Sequence, residues 1–465
     1  MTEPVLREDL FKQLPPEWPA DLLPAIQKQV AASRRKVVVL DDDPTGTQTV
    51  HHLPVLTEWS VDRLVEELTG PFPAFYLLTN SRALPLAQAQ ALNAEIGHNL
   101  RSASARSGQN FVVVSRSDST LRGHFPGEVE SLARALAEPF DGWIILPCFP
   151  EGGRLTVNDI HYAAEGDRLV PAGQTEFARD PVFGYRSSDL RRWVVEKMGG
   201  SVERVVSISL DDLRRGGPEQ VAGKLARLNG GVCVVNAVSY RDLEVFVYGL
   251  LMAEAEGKRF LYRTAASFVR VRAGLAPRPL LTPTELNLPS AGGGLVVVGS
   301  YVPRSTGQLH RLLSRPHLAG LEIDTPALLD QRAGEEVRRI AAAVEKRLAA
   351  GEDVVVYTAR TVISGPDASA SLAIGERVSA GLAAVVRSIC VRPRYLLAKG
   401  GITSSDIATQ GLGVKRAMVL GQILPGVPVW QTGTESRYPG LAYIVFPGNV
   451  GSPDALVQVV DMMSR

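Results

Sequence analysis

The sequence of 465 residues contains only three cysteines, Cys148, Cys233 and Cys390, which lie far apart along the chain. None of them belongs to a CxxC pair or to a Cys/His spacing typical of metal ligands. A disulfide scaffold and a structural zinc site are therefore both disfavoured. A reducing compartment is the natural setting for such a chain, and we expect a cytoplasmic protein.

Long apolar runs and an excess of charge of one sign are also missing. No stretch approaches the roughly 20 apolar residues that cross a bilayer, and the first residues carry acids and prolines where a secretory signal would be basic and then apolar. The 50 Lys and Arg residues nearly balance the 49 Asp and Glu residues, which gives a net charge of +1. We therefore expect neither a membrane nor a nucleic acid as partner.

The two best-known nucleotide-binding motifs are absent as well. The sequence has neither a GxxxxGK[ST] P-loop nor a GxGxxG dinucleotide fingerprint. Lysine is scarce, and only Lys399 adjoins a Gly-Gly turn. Contact with a phosphate and simple exposure to water remain equal alternatives for this lysine.

Short continuous apolar runs, separated by helix-like stretches, are the main pattern that the sequence does contain. Continuous rather than alternating apolarity is typical of parallel strands that are covered on both faces. The pattern predicts an α/β fold with mainly parallel sheets. The predicted strands cover residues 36–40, 74–78, 111–115, 143–147, 232–236, 260–264, 295–300, 354–359, 395–401 and 443–451, and predicted helices include 61–68, 86–102 and 368–386.

A proline- and glycine-rich segment at residues 274–294 interrupts this pattern and reads as a connector. The chain length alone suggests about three domains, or two large ones. We expect two α/β domains, an N-terminal one at residues 1–285 and a C-terminal one at residues 286–465.

Three consecutive carboxylates, Asp41, Asp42 and Asp43, directly follow the first predicted strand and precede the turn-forming residues Pro44 and Gly46. Ionised groups resist burial, and the carboxyl ends of parallel strands are where α/β sheets build ligand crevices. A carboxylate there could hold Mg²⁺ or accept a hydrogen bond or proton from a substrate hydroxyl. The alternative is a solvated acidic turn that caps the next helix.

Two further strand ends have the same polar character. Residues 79–82 follow the second predicted strand, and residues 115–123 close the third. If these strands are neighbours, Arg82, Arg116 and Arg122 lie with Asp118 near the acidic turn. This mixture suits a small polyhydroxy acid, because guanidiniums bind carboxylates and Ser, Thr, Asn and Asp bind hydroxyls. For any single arginine a surface ion pair is the alternative.

Glycine-bearing strand ends mark the C-terminal half, at residues 299–300, 399–404 and 447–451. Glycine lets backbone amides approach phosphate oxygens, so these loops predict a nucleotide site. In the N-terminal half, His124 and His161 could act as acid or base, but a lone loop histidine is more often simply hydrogen-bonded.

Taken together, these motifs resemble the four-carbon acid sugar kinases over nearly the whole chain after about residue 36. The resemblance rests on DDPTG at 42–46, TNSR at 79–82, DSTLRG at 118–123, EGGR at 151–154, Asp180-Pro181, Gly299-Ser300, KGGITS at 399–404 and PGNVG at 447–451. It implies a sugar-acid-binding domain followed by a nucleotide-binding domain, with the active site in the cleft between them. It also implies that ATP, with Mg²⁺, phosphorylates the terminal hydroxyl of threonate, erythronate or an oxo-tetronate, a transferase activity of carbohydrate metabolism.

Carried over residue by residue, the resemblance predicts a site for each ligand and leaves the metal ligands unassigned. Substrate binding is expected at Asp42, Asp43, Arg82, Arg116, Ser117, Asp118 and Ser119, and nucleotide binding at Ser300, Gly400, Gly401, Ile402, Thr403 and Gly448. Asp43 and Asp118 are the expected catalytic residues, as base or as orienting carboxylate. Arg116 stands where the family usually has a lysine, and because arginine keeps its charge we expect it to play a fixed electrostatic role.

Two other functions compete with the kinase. A catalytically silent sensor could bind a sugar acid or a nucleotide, although it would not need both ligand sites together. A nicotinamide-dependent oxidoreductase is disfavoured by the missing glycine fingerprint. The expected partners are the sugar acid and ATP, and the oligomeric state stays open, with a homodimer as the one oligomer considered.

Overall fold

Strands and helices alternate along most of the chain in a computed structural model, which describes residues 3–316, 318–361, 363, 365 and 368–464. Within these residues the strands are β1 (Val5–Leu6), β2 (Lys36–Asp41), β3 (Leu53–Leu56), β4 (Ala74–Leu78), β5 (Phe111–Arg116), β6 (Gly142–Leu146), β7 (Arg154–Val157), β8 (Ile160–Glu165), β9 (Arg168–Pro171), β10 (Val205–Ile208), β11 (Gly231–Val235), β12 (Phe260–Thr264), β13 (Leu295–Val298), β14 (Leu318–Ile323), β15 (Asp353–Thr358), β16 (Leu396–Lys399), β17 (Arg416–Leu424), β18 (Val427–Thr432) and β19 (Ala442–Phe446).

The α-helices of the same described residues lie between the strands along most of the chain. They are α1 (Arg7–Lys12), α2 (Leu23–Ser33), α3 (Val61–Thr69), α4 (Leu86–Ser107), α5 (Gly127–Leu136), α6 (Leu190–Met198), α7 (Gly217–Ala226), α8 (Tyr240–Ala255), α9 (Ala266–Arg272), α10 (Pro303–Leu313), α11 (Thr325–Leu328), α12 (Ala333–Ala349), α13 (Ala368–Ser388), α14 (Gly401–Asp406) and α15 (Ala455–Met463). Searched over the described part of the chain, no helix is both long enough and apolar enough to cross a bilayer.

The first of two compact units comprises the chain up to Asp42 together with Glu58–Pro277. Its main sheet has the order β10-β11-β6-β12-β5-β2-β4, and all neighbouring strands are parallel. Val37, Val38 and Val39 of β2 are fully buried, because helices cover both faces of a parallel sheet and β-branched residues suit its interior. The predicted α/β class is confirmed.

A second, smaller sheet in this unit is antiparallel, with the order β1-β9-β8-β7. None of the strands predicted from the sequence covers residues 154–171, where β7, β8 and β9 lie. The turn between β7 and β8 is made by Asn158 and Asp159, both with positive φ. That conformation matches the two-residue hairpin turns that Asn and Asp favour.

The second unit comprises Asp43–Thr57 and the chain from Arg278 onward. Its mixed sheet has the order β3-β17-β18-β19-β16-β13-β15-β14, antiparallel from β3 to β19 and parallel from β19 to β14. The division after Pro277 precedes the expected boundary at 285/286, since Leu281 and Leu286 are buried in the core of the second unit. Residues 43–57 also belong to this unit, because β3 pairs with β17.

Each of the two larger sheets has a point where the chain leaves two adjacent parallel strands in opposite directions, and such points are where α/β sheets bind ligands. In the first unit the chain runs from β2 to β4 on one side and then to β5 on the other, so the switch point lies between β2 and β5. In the second unit it lies between β13 and β16. The polar and glycine-bearing strand ends singled out from the sequence follow these strands.

Candidate functional site

Six charged side chains form one cluster at the carboxyl edge of β2, β4 and β5 in the first unit. We call it the strand-end cluster, and it consists of Asp41, Asp42, Arg82, Arg116, Asp118 and Arg122. Positive and negative side chains alternate through the cluster. Arg116 contacts Asp41 and Asp42, Arg82 contacts Asp42 and Asp118, and Arg122 contacts Asp118. The alternation explains how so many charges remain at a buried sheet edge, because each is close to an opposite charge.

Arg116 is the anchor of the cluster. It is in register with Asp41 on the neighbouring strand, so the two side chains lie on the same face of the sheet. Its Nη1 atom lies 2.9 Å from Asp41 Oδ1 and 3.4 Å from Asp42 Oδ1, and its side chain is only 6% exposed. A guanidinium held in this way suits the fixed electrostatic role expected from the sequence.

Arg82 and Arg122 are the more accessible guanidiniums, with side chains 16% and 25% exposed. Arg82 Nε lies 3.3 Å from Asp42 Oδ2, and its Nη1 lies 3.6 Å from Asp118 Oδ1. Arg122 donates from Nε to Asp118 Oδ2 at 2.7 Å, and its Nη1 lies 3.7 Å from Asp180 at the rim of the cluster. These two arginines are the ones that a small anion could reach.

Asp118 is held in its ionised form. Burial opposes the charge, but the guanidiniums of Arg122 and Arg82 outweigh burial, and the Thr120 hydroxyl donates a further hydrogen bond. Together they hold the pKa of Asp118 well below its usual range. A carboxylate with so low a pKa is a poor proton acceptor and a good fixed acceptor of hydrogen bonds.

Ser117 and Ser119 are both buried beside these charges. The amide of Ser117 donates to the Thr264 carbonyl at 2.8 Å, and its hydroxyl lies 3.1 Å from the Ser115 hydroxyl. The Ser119 carbonyl accepts from Nε2 of His161 at 2.7 Å. The backbone around Asp118 is therefore fixed on both sides.

His161 has a structural role in this arrangement. Burial lowers its pKa to about 4, so its imidazole is neutral near pH 7. Because Nε2 donates to the Ser119 carbonyl, Nδ1 is the acceptor of the Thr156 hydroxyl at 2.9 Å. His124 likewise lies 2.8 Å from the Leu84 carbonyl. Both histidines show the simple hydrogen bonding that the sequence analysis weighed against catalysis.

Arg263 was not singled out from the sequence, yet it lies directly below the loop that carries Asp118. Its Nη2 donates to the carbonyls of Arg122 at 3.0 Å and Asp118 at 3.4 Å, and its guanidinium lies 4.9 Å from the Trp193 ring. It is fully buried, and its Nε and Nη1 have no hydrogen-bond partner. The sequence does contain a signal for it, because an arginine within the otherwise apolar strand FLYRT (β12) indicates a buried charge.

Asp43 belongs to the second unit, although Asp41 and Asp42 belong to the first. Its Oδ1 accepts from the Thr45 amide at 2.9 Å and from the Thr45 hydroxyl at 2.5 Å, which starts the short 3₁₀ turn Pro44–Thr47. Its other oxygen packs on Gly401, where a Cβ atom would overlap it. The acidic turn is therefore divided: two carboxylates join the strand-end cluster, and the third joins the glycine loops.

Three loops follow the adjacent strands β13, β16 and β19 in the second unit. The Ser300 hydroxyl accepts from Ser305 at 3.0 Å, and a Cβ atom on Gly448 would lie 3.1 Å from it. Gly400 has φ +116°, a conformation that side chains disfavour. The three glycine-bearing loops therefore lie together beside the switch point of this sheet, and Ser300 is followed by helix α10.

Ile402 and Thr403 differ in exposure although they are neighbours. Thr403 is buried, whereas Ile402 is one of the exposed large apolar side chains, together with Tyr301 beside Ser300. Hydroxyls, backbone amides and an accessible apolar surface thus lie around the same loops.

Lys399 is fully buried and points inward rather than toward water. Its Nζ donates to the carbonyl of Pro447 at 2.6 Å and to that of Gly448 at 3.3 Å, and it lies 4.0 Å from the ring of Phe446. Burial, with the nearby charge of Arg304, holds the pKa of Lys399 well below its usual range. This lysine ties the loop after β16 to the loop after β19.

Comparison with known proteins assigns both parts of the chain. A model described as a sugar-binding N-terminal domain matches residues 37–272, and a model described as a nucleotide-binding C-terminal domain matches residues 295–456. The chain belongs to the four-carbon acid sugar kinase family. The expected family, and with it the expectation of a sugar-acid kinase, is confirmed.

Named relatives of this four-carbon acid sugar kinase are similar over most of their length. A D-threonate kinase from Salmonella typhimurium is 28% identical over 408 residues, covering 83% of this chain and 88% of the relative. A 3-oxo-tetronate kinase from Cupriavidus necator is 29% identical over 394 residues, covering 83% and 85%. A solved Salmonella typhimurium LT2 structure, described as that of a candidate tRNA synthase, shares the fold alone, with 17% identity, a TM-score of 0.65 and coverage of 91% and 98%.

The hydrogen-bond donors around the glycine loops of the second unit are of the kinds that bind nucleotide phosphates. The hydroxyls of Ser300 and Ser305, the first turn of the 11-residue helix α10 and the guanidinium of Arg304 all lie near the glycine loops. Among the described residues no group of three or more His, Cys, Asp or Glu side chains could hold a metal ion.

Proposed function

We propose that this chain transfers the γ-phosphoryl group of ATP to the terminal hydroxyl of a four-carbon sugar acid. The observation that carries the proposal is the strand-end cluster, whose alternating guanidiniums and carboxylates lie at the switch point of the first unit. The nucleotide-binding model that matches the second unit and the relatives named as tetronate kinases support it.

The sugar acid is proposed to bind in the first unit through its carboxylate and its hydroxyls. Arg82 and Arg122 are the accessible guanidiniums, and a guanidinium has five N–H donors, enough for more than one carboxylate. Asp42 and Asp118 would accept hydrogen bonds from substrate hydroxyls, and Ser117 and Ser119 would complete the site. Arg116 would keep Asp41 and Asp42 in place without touching the substrate.

The nucleotide is proposed to bind in the second unit. Backbone amides of Gly400, Gly401 and Gly448, with the hydroxyls of Ser300 and Thr403, would contact the phosphates, and the exposed side chain of Ile402 would contact the nucleoside. Mg²⁺, when bound to the phosphates, neutralises part of their charge and so favours attack by the hydroxyl. Lys399 donates its hydrogen bonds to the carbonyls of Pro447 and Gly448. We therefore propose that it holds the loop after β19 in shape rather than binding phosphate.

Asp43 is proposed to orient the acceptor hydroxyl or to take its proton. It follows Asp42 of the strand-end cluster in the chain and packs on Gly401 of the nucleotide loop. In the transfer, the hydroxyl oxygen forms a bond to the γ-phosphorus, the bond from that phosphorus to the leaving oxygen of ADP breaks, and the hydroxyl proton passes to Asp43 or to water. Asp118, with its low pKa, would orient rather than deprotonate.

A coupled assay of ATP consumption tests the proposal. D- and L-threonate, D- and L-erythronate and their oxo forms are offered with ATP and Mg²⁺, and the product is checked by ³¹P NMR for a phosphate monoester. Turnover of at least one tetronate supports the proposal. Absence of turnover over the whole series would contradict it.

A further inference from the structure

One buried carboxyl beside the strand-end cluster is not used by the proposed transfer. Glu128 lies in the first turn of α5 and is only 6% exposed, and its Oε1 atom has no hydrogen-bond partner. Ser81 gives Glu128 one side-chain hydrogen bond. An ionised carboxylate whose other oxygen is buried without a partner is still costly, whereas a protonated carboxyl at the same place costs much less. The geometry therefore favours the neutral acid.

The groups that face Glu128 come from three parts of the first unit. Asp42 follows β2, Ser81 and Arg82 follow β4, and Arg263 lies on β12. Burial raises the pKa of Glu128 to about 7, and the Asp42 carboxylate raises it too, while Ser81, Arg263 and Arg82 lower it. Burial outweighs the two arginines, so Glu128 changes its charge near neutral pH.

The charges of this region nearly cancel before Glu128 is counted. The four guanidiniums of Arg82, Arg116, Arg122 and Arg263 face the carboxylates of the cluster, with Asp180 at the rim. A site in which four guanidiniums only balance four carboxylates must still accept the carboxylate of a sugar acid. One more negative charge at Glu128 would repel that carboxylate.

We infer that Glu128 is a positioning residue of the sugar-acid site, and that it keeps its proton while the substrate is bound. The inference rests on the proposed function. The neutral carboxyl adds no further negative charge beside Arg82, so the accessible guanidinium of Arg82 attracts the substrate carboxylate more strongly. When the substrate binds above neutral pH, Glu128 takes one proton from the buffer, and the proton returns to the buffer when the product leaves.

The wild-type protein supplies the first measurement, which is the dissociation constant (Kd) of the tetronate that is turned over, without nucleotide, between pH 6 and pH 8.5. With a pKa of about 7, roughly nine-tenths of Glu128 is neutral at pH 6 and roughly one-tenth at pH 8. The Kd should therefore rise about tenfold from pH 6 to pH 8. Calorimetry in buffers with different ionisation heats should show uptake of close to one proton at pH 8.

Two variants on the same helix separate Glu128 from other titrating groups. Glu128→Gln imitates the neutral acid, so its Kd should stay flat from pH 6 to pH 8 and should be about tenfold lower than that of the wild type at pH 8. Glu130→Gln removes a carboxylate whose side chain is 42% exposed, and its pH profile should match the wild type. A melting temperature close to that of the wild type shows that each variant folds.

Infrared difference spectra of the wild type give an answer even if Glu128→Gln does not fold. The band of a protonated carboxyl should be present at pH 6, weak at pH 8, and restored at pH 8 when the tetronate is added. A Kd that does not change with pH, binding at pH 8 without proton uptake, or a pH dependence that persists in Glu128→Gln would overturn the inference. Failure of every tetronate to bind or react would instead overturn the proposed function.

Discussion

Replacing Asp43 by Asn removes one negative charge and turns one carboxylate oxygen into an amide NH₂ group. Asp43 Oδ1 accepts from the amide and hydroxyl of Thr45 at 2.9 and 2.5 Å, and an Asn side-chain oxygen accepts the same two bonds. Asn caps such turns about as well as Asp. We therefore expect the free energy of unfolding to change by less than about 1 kcal/mol, or roughly 2–4 °C in melting temperature.

The effect on turnover should be much larger than the effect on stability. A positioned acid or base contributes about 10²- to 10⁴-fold to a rate, which corresponds to about 2.7–5.5 kcal/mol in the activation free energy at about 1.36 kcal/mol per factor of ten. Since Asp43 packs on Gly401 of the glycine loop, its lost charge should lower kcat by this factor and leave the KM of the tetronate within a few-fold.

The assay is steady-state turnover of the preferred tetronate at saturating ATP, with the melting temperature measured on the same samples. Asp62→Asn is the matched control, because Asp62 is an exposed aspartate with a side chain 79% exposed and lies in helix α3. Its kcat should equal that of the wild type. A kcat for Asp43→Asn within threefold of the wild type, in a folded protein, would refute the role given to Asp43.

Three further predictions concern single side chains. Arg82→Lys keeps the positive charge but loses the two parallel N–H donors of the guanidinium. The KM of the tetronate should therefore rise about 10- to 100-fold at nearly constant kcat, as expected for the loss of one charge-assisted hydrogen bond. The control Arg106→Lys, at an exposed ion pair, should change neither KM nor kcat. Lys399→Met leaves a buried carbonyl without its donor and should lower the free energy of unfolding in urea by about 1–3 kcal/mol, unlike Lys346→Met on the surface. The pKa of Asp118 is lower in the folded than in the unfolded chain, so its ionised form stabilises the fold above about pH 4 and this contribution is lost at lower pH. The difference in the free energy of unfolding between the wild type and Asp118→Asn, measured by urea titration, should therefore shrink below pH 4 by up to about 1.4 kcal/mol per pH unit.

The strands that form the sheets could be predicted from the sequence because their apolar runs are continuous. Residues 36–40 and 74–78 became β2 and β4 almost residue for residue, since burial on both faces leaves no room for polar positions. The hairpin of β7 and β8 was missed, although the Asn158-Asp159 turn is a local signal for it. Polar residues in short strands hide the alternation that marks a half-buried sheet.

Side-chain direction is what the sequence could not supply. Arg116 and Asp41 could be placed at neighbouring strand ends, but their pairing depends on the register of β2 and β5. The inward course of Lys399 and the burial of Arg263 and Glu128 depend on packing from distant parts of the chain. The division of the acidic turn after Asp42 likewise follows from the pairing of β3 with β17, which no local pattern shows.

Coupled ATP consumption over the tetronate series is the most direct measurement of the central claim. We predict that ATP is consumed only when a four-carbon sugar acid is present, with one phosphate monoester formed for each ADP released. The four-carbon sugar alcohol with the same hydroxyls but no carboxylate should be a poor substrate, because it has no negative group for Arg82 and Arg122 to bind. Equal turnover of that alcohol, or ATP consumption that no tetronate stimulates, would contradict the account.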